Sequence, residues 1–315
     1  MRSLPGDELT PRTRPGSRYW VMSVPAPGPP PAATSTVTSI DGTTIGYYSV
    51  GAGPGVILLH GAGQSSKNLR KLADHLADCF AVHVPDRRGR GMSPSYGSFA
   101  GLRSEIEDLC ALLDATGARR VFGLSAGAVI AIETARVRPD IEKLALYEPP
   151  LSFDGVVHGA WVDRYEDRMA AGRPGAALVA VLKDTADRRS LVRYVPEFFL
   201  AAVLDLVIKR TADRPVPPGA LSPRELIPTL RYDAPTVREA SGSLERFADL
   251  GCQILLLTGS RSARNLQASV EGLATVLPSA HRAELRGVGH TAADDSRQPE
   301  LVAGELVAFF SGDGS

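Results

Sequence analysis

Val121-Phe122-Gly123-Leu124-Ser125-Ala126-Gly127 is an apolar run that reaches a Gly-x-Ser-x-Gly turn, and residues 126–137 behind it read as a helix rich in Ala, Val and Ile. A serine at a sharp strand-to-helix turn is forced into a strained backbone conformation. Small residues two before and two after it let the turn close without clashes. The turn lifts the hydroxyl clear of the sheet and aims the first amides of the following helix at whatever binds there. That geometry suits an attacking nucleophile whose product is an oxyanion. The plainer alternative is a Gly/Ser turn that merely ends a strand. The apolar run before it and the long helix after it are the context that favours the nucleophile.

Working outward, the same alternation repeats on both sides. Upstream, residues 35–40 and 43–50 make a hairpin around Asp41-Gly42. Gly51-Ala52-Gly53-Pro54-Gly55 precedes a strand instead of following one, so it reads as a turn and not as a phosphate-binding loop. Val56-Ile57-Leu58-Leu59 is a short buried strand ending in His60-Gly61-Ala62-Gly63-Gln64, with Ser65 or Ser66 capping a helix to about residue 77. Residues 80–84 form the next strand, ending in Pro85-Asp86-Arg87-Arg88-Gly89-Arg90-Gly91, and a helix covers about 99–116. Downstream of the serine, residues 143–147 form a strand that stops at Glu148-Pro149-Pro150. Strands and helices in this rhythm predict an α/β fold, a doubly wound and mostly parallel sheet.

The rhythm breaks between residues 151 and 221, where helical stretches at 160–171, 174–187 and 196–210 appear without a strand. The third is apolar on more than one face, so it is expected to be buried on two sides, or to pack on one and face a ligand with the other, or to supply no more than the lid's own core. The rhythm resumes with helical stretches within 223–247, a strand at 253–257, a helix at 264–277, a strand at 282–285 and a helix at 299–310. The expected organisation is a core of residues 34–150 and 222–315 with a helical lid, 151–221, inserted into it. Residues 1–33, with Pro29-Pro30-Pro31 and little apolar periodicity, read as a flexible Pro-rich tail and a poor secretory signal.

Composition removes several classes of function. Lys and Arg total 35 against 35 Asp and Glu, so no global field draws the chain to nucleic acid or an anionic membrane. No apolar run approaches the ~18 residues needed to span a bilayer. Cys79, Cys110 and Cys252 lie in or beside apolar segments and read as buried free thiols, which fits a cytoplasmic protein better than a disulfide framework. No residues are spaced as metal ligands, and no cofactor is called for.

Four segments in order, His60-Gly61, Asp86 to Gly91, Gly123-Leu124-Ser125-Ala126-Gly127 and Gly287-Val288-Gly289-His290, make the chain resemble an α/β-hydrolase with a helical lid over nearly all of 35–310. The resemblance implies that Ser125 is the nucleophile and His290 its general base, the one histidine in a loop after the last strand. It also implies an oxyanion hole made by the backbone N–H groups of Ala62 and Ala126. Of the other histidines, His75 and His281 read as surface residues and His83 as packed in a strand. His158 falls in the lid region, exposed or near substrate, and His60 shapes its loop.

The third triad member departs from the commonest pattern. The usual acid follows the strand ending at Leu257, but here Thr258-Gly259-Ser260-Arg261-Ser262-Ala263-Arg264-Asn265 contains no carboxylate. Some members of the family place the acid after the strand that follows the nucleophile helix, where Glu148 stands. Pro149-Pro150 would stiffen it there. A lid-anchoring role for Glu148, contacts from Asp294 or Asp295, and a hydrogen bond from Ser262 are the alternatives. The basic run Arg87-Arg88-Gly89-Arg90 could grip an anionic substrate, but in this fold it usually makes a structural turn with internal ion pairs.

The expected activity is hydrolysis of an ester, thioester or lactone through an acyl-enzyme, on a small-molecule substrate with a medium-sized hydrophobic acyl group or ring. Two alternatives stay open at the same site: carbon–carbon bond hydrolysis or proton-transfer and cyclisation chemistry, and non-catalytic ligand binding.

Overall fold

The computed structural model describes residues 33–95, 101–156, 158–186, 190–211 and 221–312. The Pro-rich tail therefore lies, apart from Ala33, outside the described residues, as do parts of the 151–221 segment.

The chain runs β1 (Ala33–Thr38), β2 (Thr44–Val50), β3 (Gly55–Leu59), α1 (Arg70–Leu76), β4 (Ala81–Pro85), α2 (Leu102–Thr116), β5 (Arg120–Leu124), α3 (Ala126–Ala135) and β6 (Lys143–Tyr147). Helices α4 (Val162–Ala170), α5 (Pro174–Thr185), α6 (Glu197–Thr211) and α7 (Pro223–Leu226) follow. Then come α8 (Leu230–Glu239), β7 (Gln253–Gly259), α9 (Arg264–Val276), β8 (His281–Leu285) and α10 (Pro299–Ser311). The eight strands form one sheet in the order β1-β2-β4-β3-β5-β6-β7-β8. The β1–β2 and β2–β4 pairs are antiparallel and every other pair is parallel.

Both faces of the central strands are covered, which explains why they read as unbroken apolar runs. Ile57 and Leu59 of β3, Leu144 and Leu146 of β6 and Ile254 and Leu256 of β7 point to the face covered by α2, α3 and α9. Their neighbours Val56, Leu58, Ala145, Tyr147, Leu255 and Leu257 point to the face covered by α1 and α10. Strand periodicity of two thus splits one hydrophobic run between two cores. Among the described residues no helix is long and apolar enough to cross a membrane.

Two expectations need correction. The helix α6 is not buried on two sides, nor does it line the space above Ser125. Ala201, with Leu200 and Leu204, packs on Ala176 and Val179 of α5, while Phe198 is 78% exposed and Val203, Leu206 and Val207 are also exposed. Near its C-terminal end Ile208 joins a second cluster with Trp161, Tyr165 and Ile227, and the rest of the apolar surface stays outward. The thiols are free, but they are not all buried: Cys79 is exposed, and Cys110 and Cys252 are half-buried. Cys79 sits in the turn before β4, beyond Leu76 where the buried stripe of α1 ends.

Candidate active site

The tight turn after β5 sets the site. Ser125 has φ 55° and ψ −118°, a region that side-chain-bearing residues rarely occupy, and its N–H donates to the Tyr147 carbonyl at 2.9 Å. A Cβ on Gly123 would lie 2.5 Å from Ala128 Cα, and one on Gly127 would lie 2.5 Å from the Leu59 carbonyl oxygen. Glycine at those two positions is what lets the serine turn pack this closely on β3.

His290 follows β8 and is buried. Its Nε2 lies 3.0 Å from Ser125 Oγ and its Nδ1 lies 2.7 Å from Glu148 Oε2. A carboxylate only accepts, so Nδ1 carries the proton, leaving Nε2 free to accept from the serine hydroxyl. Glu148 is fully buried, with φ 47°, a second strained residue at the same site. Its Oε1 accepts from the Thr258 hydroxyl and from the Gly259 N–H, each at 2.7 Å. Burial pushes the Glu148 carboxyl up, but the hydrogen bond and charge of His290 and the Gly259 amide outweigh it and hold the group below the usual carboxylate range.

Sheet order explains why the acid works from β6. Tyr147 on β6 pairs with Leu257 on the adjacent β7, so Glu148 emerges beside Thr258, at the end of β7 and just before the loop where the usual aspartate would stand. Adjacent strands are about 4.8 Å apart, which a glutamate spans with one extra methylene. Ser262 makes no hydrogen bond to the imidazole, and Asp294 and Asp295 turn elsewhere.

The loop after β3 faces the serine. Among the described residues neither the Ala62 N–H nor the Ala126 N–H has an acceptor, and Ala62 lines the same cavity as Ser125. Side chains from distant segments hold this loop. Gln64 Oε1 accepts the Gly61 N–H at 2.9 Å, and Gln64 Nε2 donates to Asp294 Oδ2 at 2.8 Å. The Gly63 N–H donates to Asp233 Oδ2 at 3.0 Å. His60 is buried, and burial, with the charges of Arg87 and Arg90, pushes its pKa far down. It stays neutral, its Nε2 accepting from the Arg87 N–H at 3.2 Å and its Nδ1–H meeting the Gly61 carbonyl at 2.9 Å.

A cavity of about 330 Å³ stands over Ser125 and His290. One wall is Leu178, Val181, Leu182 and Thr185 of α5, which recur at helical spacing on one face, and the opposite side includes Leu226, Ile227 and Leu230. A hydroxyl beside a neutral imidazole nitrogen, below an apolar cavity and beside two unengaged amides, has the equipment for nucleophilic attack on a carbonyl.

A model of the alpha/beta hydrolase family matches residues 56–305, through every element of the site. The chain belongs to the alpha/beta hydrolase family. Among solved structures, an alpha/beta hydrolase from Sphaerobacter thermophilus is similar at 31% identity and a TM-score of 0.70, covering 88% of this chain and all of the other. An uncharacterized hydrolase of Bacillus subtilis is 30% identical over 134 residues, which cover 41% of this chain and 49% of that protein. A pimeloyl-[acyl-carrier protein] methyl ester esterase of Chromobacterium violaceum is 36% identical over 99 residues, which cover 31% of this chain and 38% of that protein. The matches thus span less than half the length of either curated relative.

The basic run of this hydrolase is a structural turn. Asp86 accepts the Ser66 and Met92 N–H groups at 2.8 and 2.9 Å. Arg87 pairs with Glu105 at 2.6 Å and Asp233 at 2.9 Å, Arg88 with Asp108 and Asp41 at 2.6 Å each, and Arg90 with Asp233 at 2.6 Å. These guanidinium groups are committed to the fold. Reading the sequence passed over Asp233, Asp294 as a loop anchor, and Thr258. Each works through a partner distant in the chain, and nothing adjacent to it signals the role.

His158 is buried in the hydrolase and hydrogen-bonds Ser269 Oγ at 2.8 Å, so it is neither exposed nor a wall of the cavity. Burial, and then the charge of His290, holds its pKa down to about 4. The sign of the effect follows. Above pH 6.5 both folded and unfolded chains are neutral at this residue; between 6.5 and about 4 only the unfolded chain takes up the proton. Stability is therefore lost by about 3 kcal/mol over that window. Urea unfolding across the window measures it against His158→Gln, whose curve is expected to be flatter. Parallel curves would remove His158 from the acid sensitivity.

Proposed function

We propose that this hydrolase cleaves a carboxylic ester, thioester or lactone through an acyl-enzyme on Ser125. The observation that carries the reading is the continuous hydrogen-bonded chain from Ser125 through His290 to Glu148 at the floor of an apolar cavity. Ser125 Oγ attacks the carbonyl carbon while its proton passes to His290 Nε2. The Ala62 and Ala126 amides receive the developing oxyanion, where each such donor contributes about 3 kcal/mol. Collapse breaks the bond to the leaving alcohol or thiol, which takes the proton from Nε2. Water then attacks the acyl carbon, giving its proton to the same nitrogen, and Ser125 is released with the acid product. In this reading α4–α7 act as the lid, and the apolar wall from α5 selects a hydrophobic acyl group.

Proton-transfer chemistry drew its weight from the absence of a carboxylate after β7. That weight goes once Glu148 occupies the position beside Thr258. The esterase named among the relatives is in keeping with ester cleavage.

Intact-mass spectrometry after incubation with a small fluorophosphonate tests the reading, followed by mapping of the modified peptide. One adduct per chain, located on Ser125, is expected. An unmodified protein, or an adduct elsewhere, would overturn the assignment.

A further inference from the structure

Past His290 the site continues into two clefts of different chemistry. The first, about 600 Å³, shares Leu182, Thr185, His290 and Thr291 with the apolar cavity and adds Arg261 and Arg297. The second, about 580 Å³, shares Arg261, Thr291 and Arg297 with the first and adds Arg286. The apolar cavity over Ser125 thus adjoins a cleft with Arg261 and Arg297 on its wall, and that cleft adjoins a second one with Arg286.

Two loops supply these arginines: Arg261 follows β7, and Arg286 and Arg297 stand near the two ends of the β8–α10 connection that carries His290. All three arginines are exposed. Among the described residues no carboxylate lines either cleft, and none of the three side chains has an ion-pair or hydrogen-bond partner. The adjacent carboxylates face away: Asp294 binds Gln64 and Asn68, and Asp295 binds the Lys71 backbone. This contrasts with Arg87, Arg88 and Arg90, each held by a carboxylate. In a chain of zero net charge, three unmatched cations around one opening form a local positive field that no contact of the fold requires.

The side of the site matters. The general acid must touch the departing atom, so the leaving group lies on the His290 side of the scissile bond. The aliphatic cavity is left for the acyl group, and the cleft beyond His290 for the alcohol or thiol. We propose that this cleft is a subsite for an anionic leaving group, and that the substrate is a hydrophobic acyl ester or thioester whose alcohol or thiol carries a phosphate. Guanidinium groups match phosphate oxygens in both geometry and charge, and three of them suit a group carrying more than one negative charge. The inference rests on the acyl-enzyme reading for the direction of the leaving group.

The test compares two hexanoyl thioesters, one of mercaptohexanol and one of its phosphate monoester. Native protein is expected to prefer the phosphate in kcat/KM by about tenfold or more, the scale of one charge-assisted hydrogen bond. The preference is expected to fall toward unity in Arg261→Gln/Arg286→Gln/Arg297→Gln and in high salt, with turnover of the neutral thioester unchanged. Equal turnover of the two thioesters, or a preference that survives the triple substitution, overturns the subsite and leaves the hydrolase reading standing. If neither thioester is turned over, the hydrolase reading has failed, and calorimetry with the phosphate thioester on Ser125→Ala protein decides the subsite. Binding lost in the triple-arginine background sustains it, and absence of binding sinks it.

Discussion

Ser125→Ala is expected to lower kcat on a hexanoyl ester by about 10⁶-fold, and Glu148→Gln by about 10⁴-fold, with KM changed little by the second. The second figure follows from hydrogen-bond direction. Thr258 and Gly259 both donate to Oε1, so the glutamine carbonyl oxygen takes that place and its NH₂ group faces His290 Nδ1. An NH₂ group donates, so Nδ1 must become the acceptor and the proton moves to Nε2. That nitrogen then has no lone pair for the Ser125 proton. The imidazolium formed in the transition state also loses the carboxylate that balances it. KM holds because Glu148 is fully buried and does not line the cavity. Steady-state kinetics on both variants give the answer. A fall of less than tenfold for Glu148→Gln would leave Glu148 a structural residue and reopen the search for the acid.

Asp233→Asn is expected to destabilise the protein by about 3–5 kcal/mol, the range for removing one partner of a buried ion pair. Asp233 is fully buried on α8 and meets Arg87 at 2.9 Å, Arg90 at 2.6 Å and the Gly63 N–H at 3.0 Å. Arg87 keeps Glu105, but Arg90 retains only the carbonyls of Arg88 and Thr229, and so becomes a buried cation without an anion. For a chain of this size the loss corresponds to a fall in Tm on the order of ten degrees, read by calorimetry. The loop carrying Ala62 loses an anchor at the same time, so the surviving folded protein should also turn over more slowly. A variant within about 1 kcal/mol of native would mean that this network is not the linkage between α8 and the loop.

Legibility in the sequence followed how local each signal was. The Gly-x-Ser-x-Gly turn, the apolar strands and the loop histidine were readable because each sits within a few residues of its own context. Gly123 and Gly127 show the cause, since a side chain at either would strike backbone 2.5 Å away. Glu148 was readable as a candidate through resemblance alone. Its partners Thr258, Gly259 and His290 lie 110 to 142 residues downstream. The burial of α6 was not legible because apolar residues on more than one face do not say which face is covered: α5 and the cluster around Ile208 cover part of it and leave Phe198 outward.

The arginines divide the two sources of information most sharply. Taken as sequence, Arg87-Arg88-Gly89-Arg90 is the obvious basic cluster, and Arg261, Arg286 and Arg297 are scattered. Folding reverses this. Carboxylates from the β1–β2 turn, from α2 and from α8 neutralise the first group, while the segments after β7 and β8 bring the second to clefts beside His290. The sequence by itself determined the strand–helix rhythm, the serine turn and the identity of the loop histidine, because those depend on periodicity and on steric limits within a few residues. Which acid meets the imidazole, which arginines stay unpaired and what walls the cavity depend on the order of strands in the sheet, and only the tertiary structure decided them.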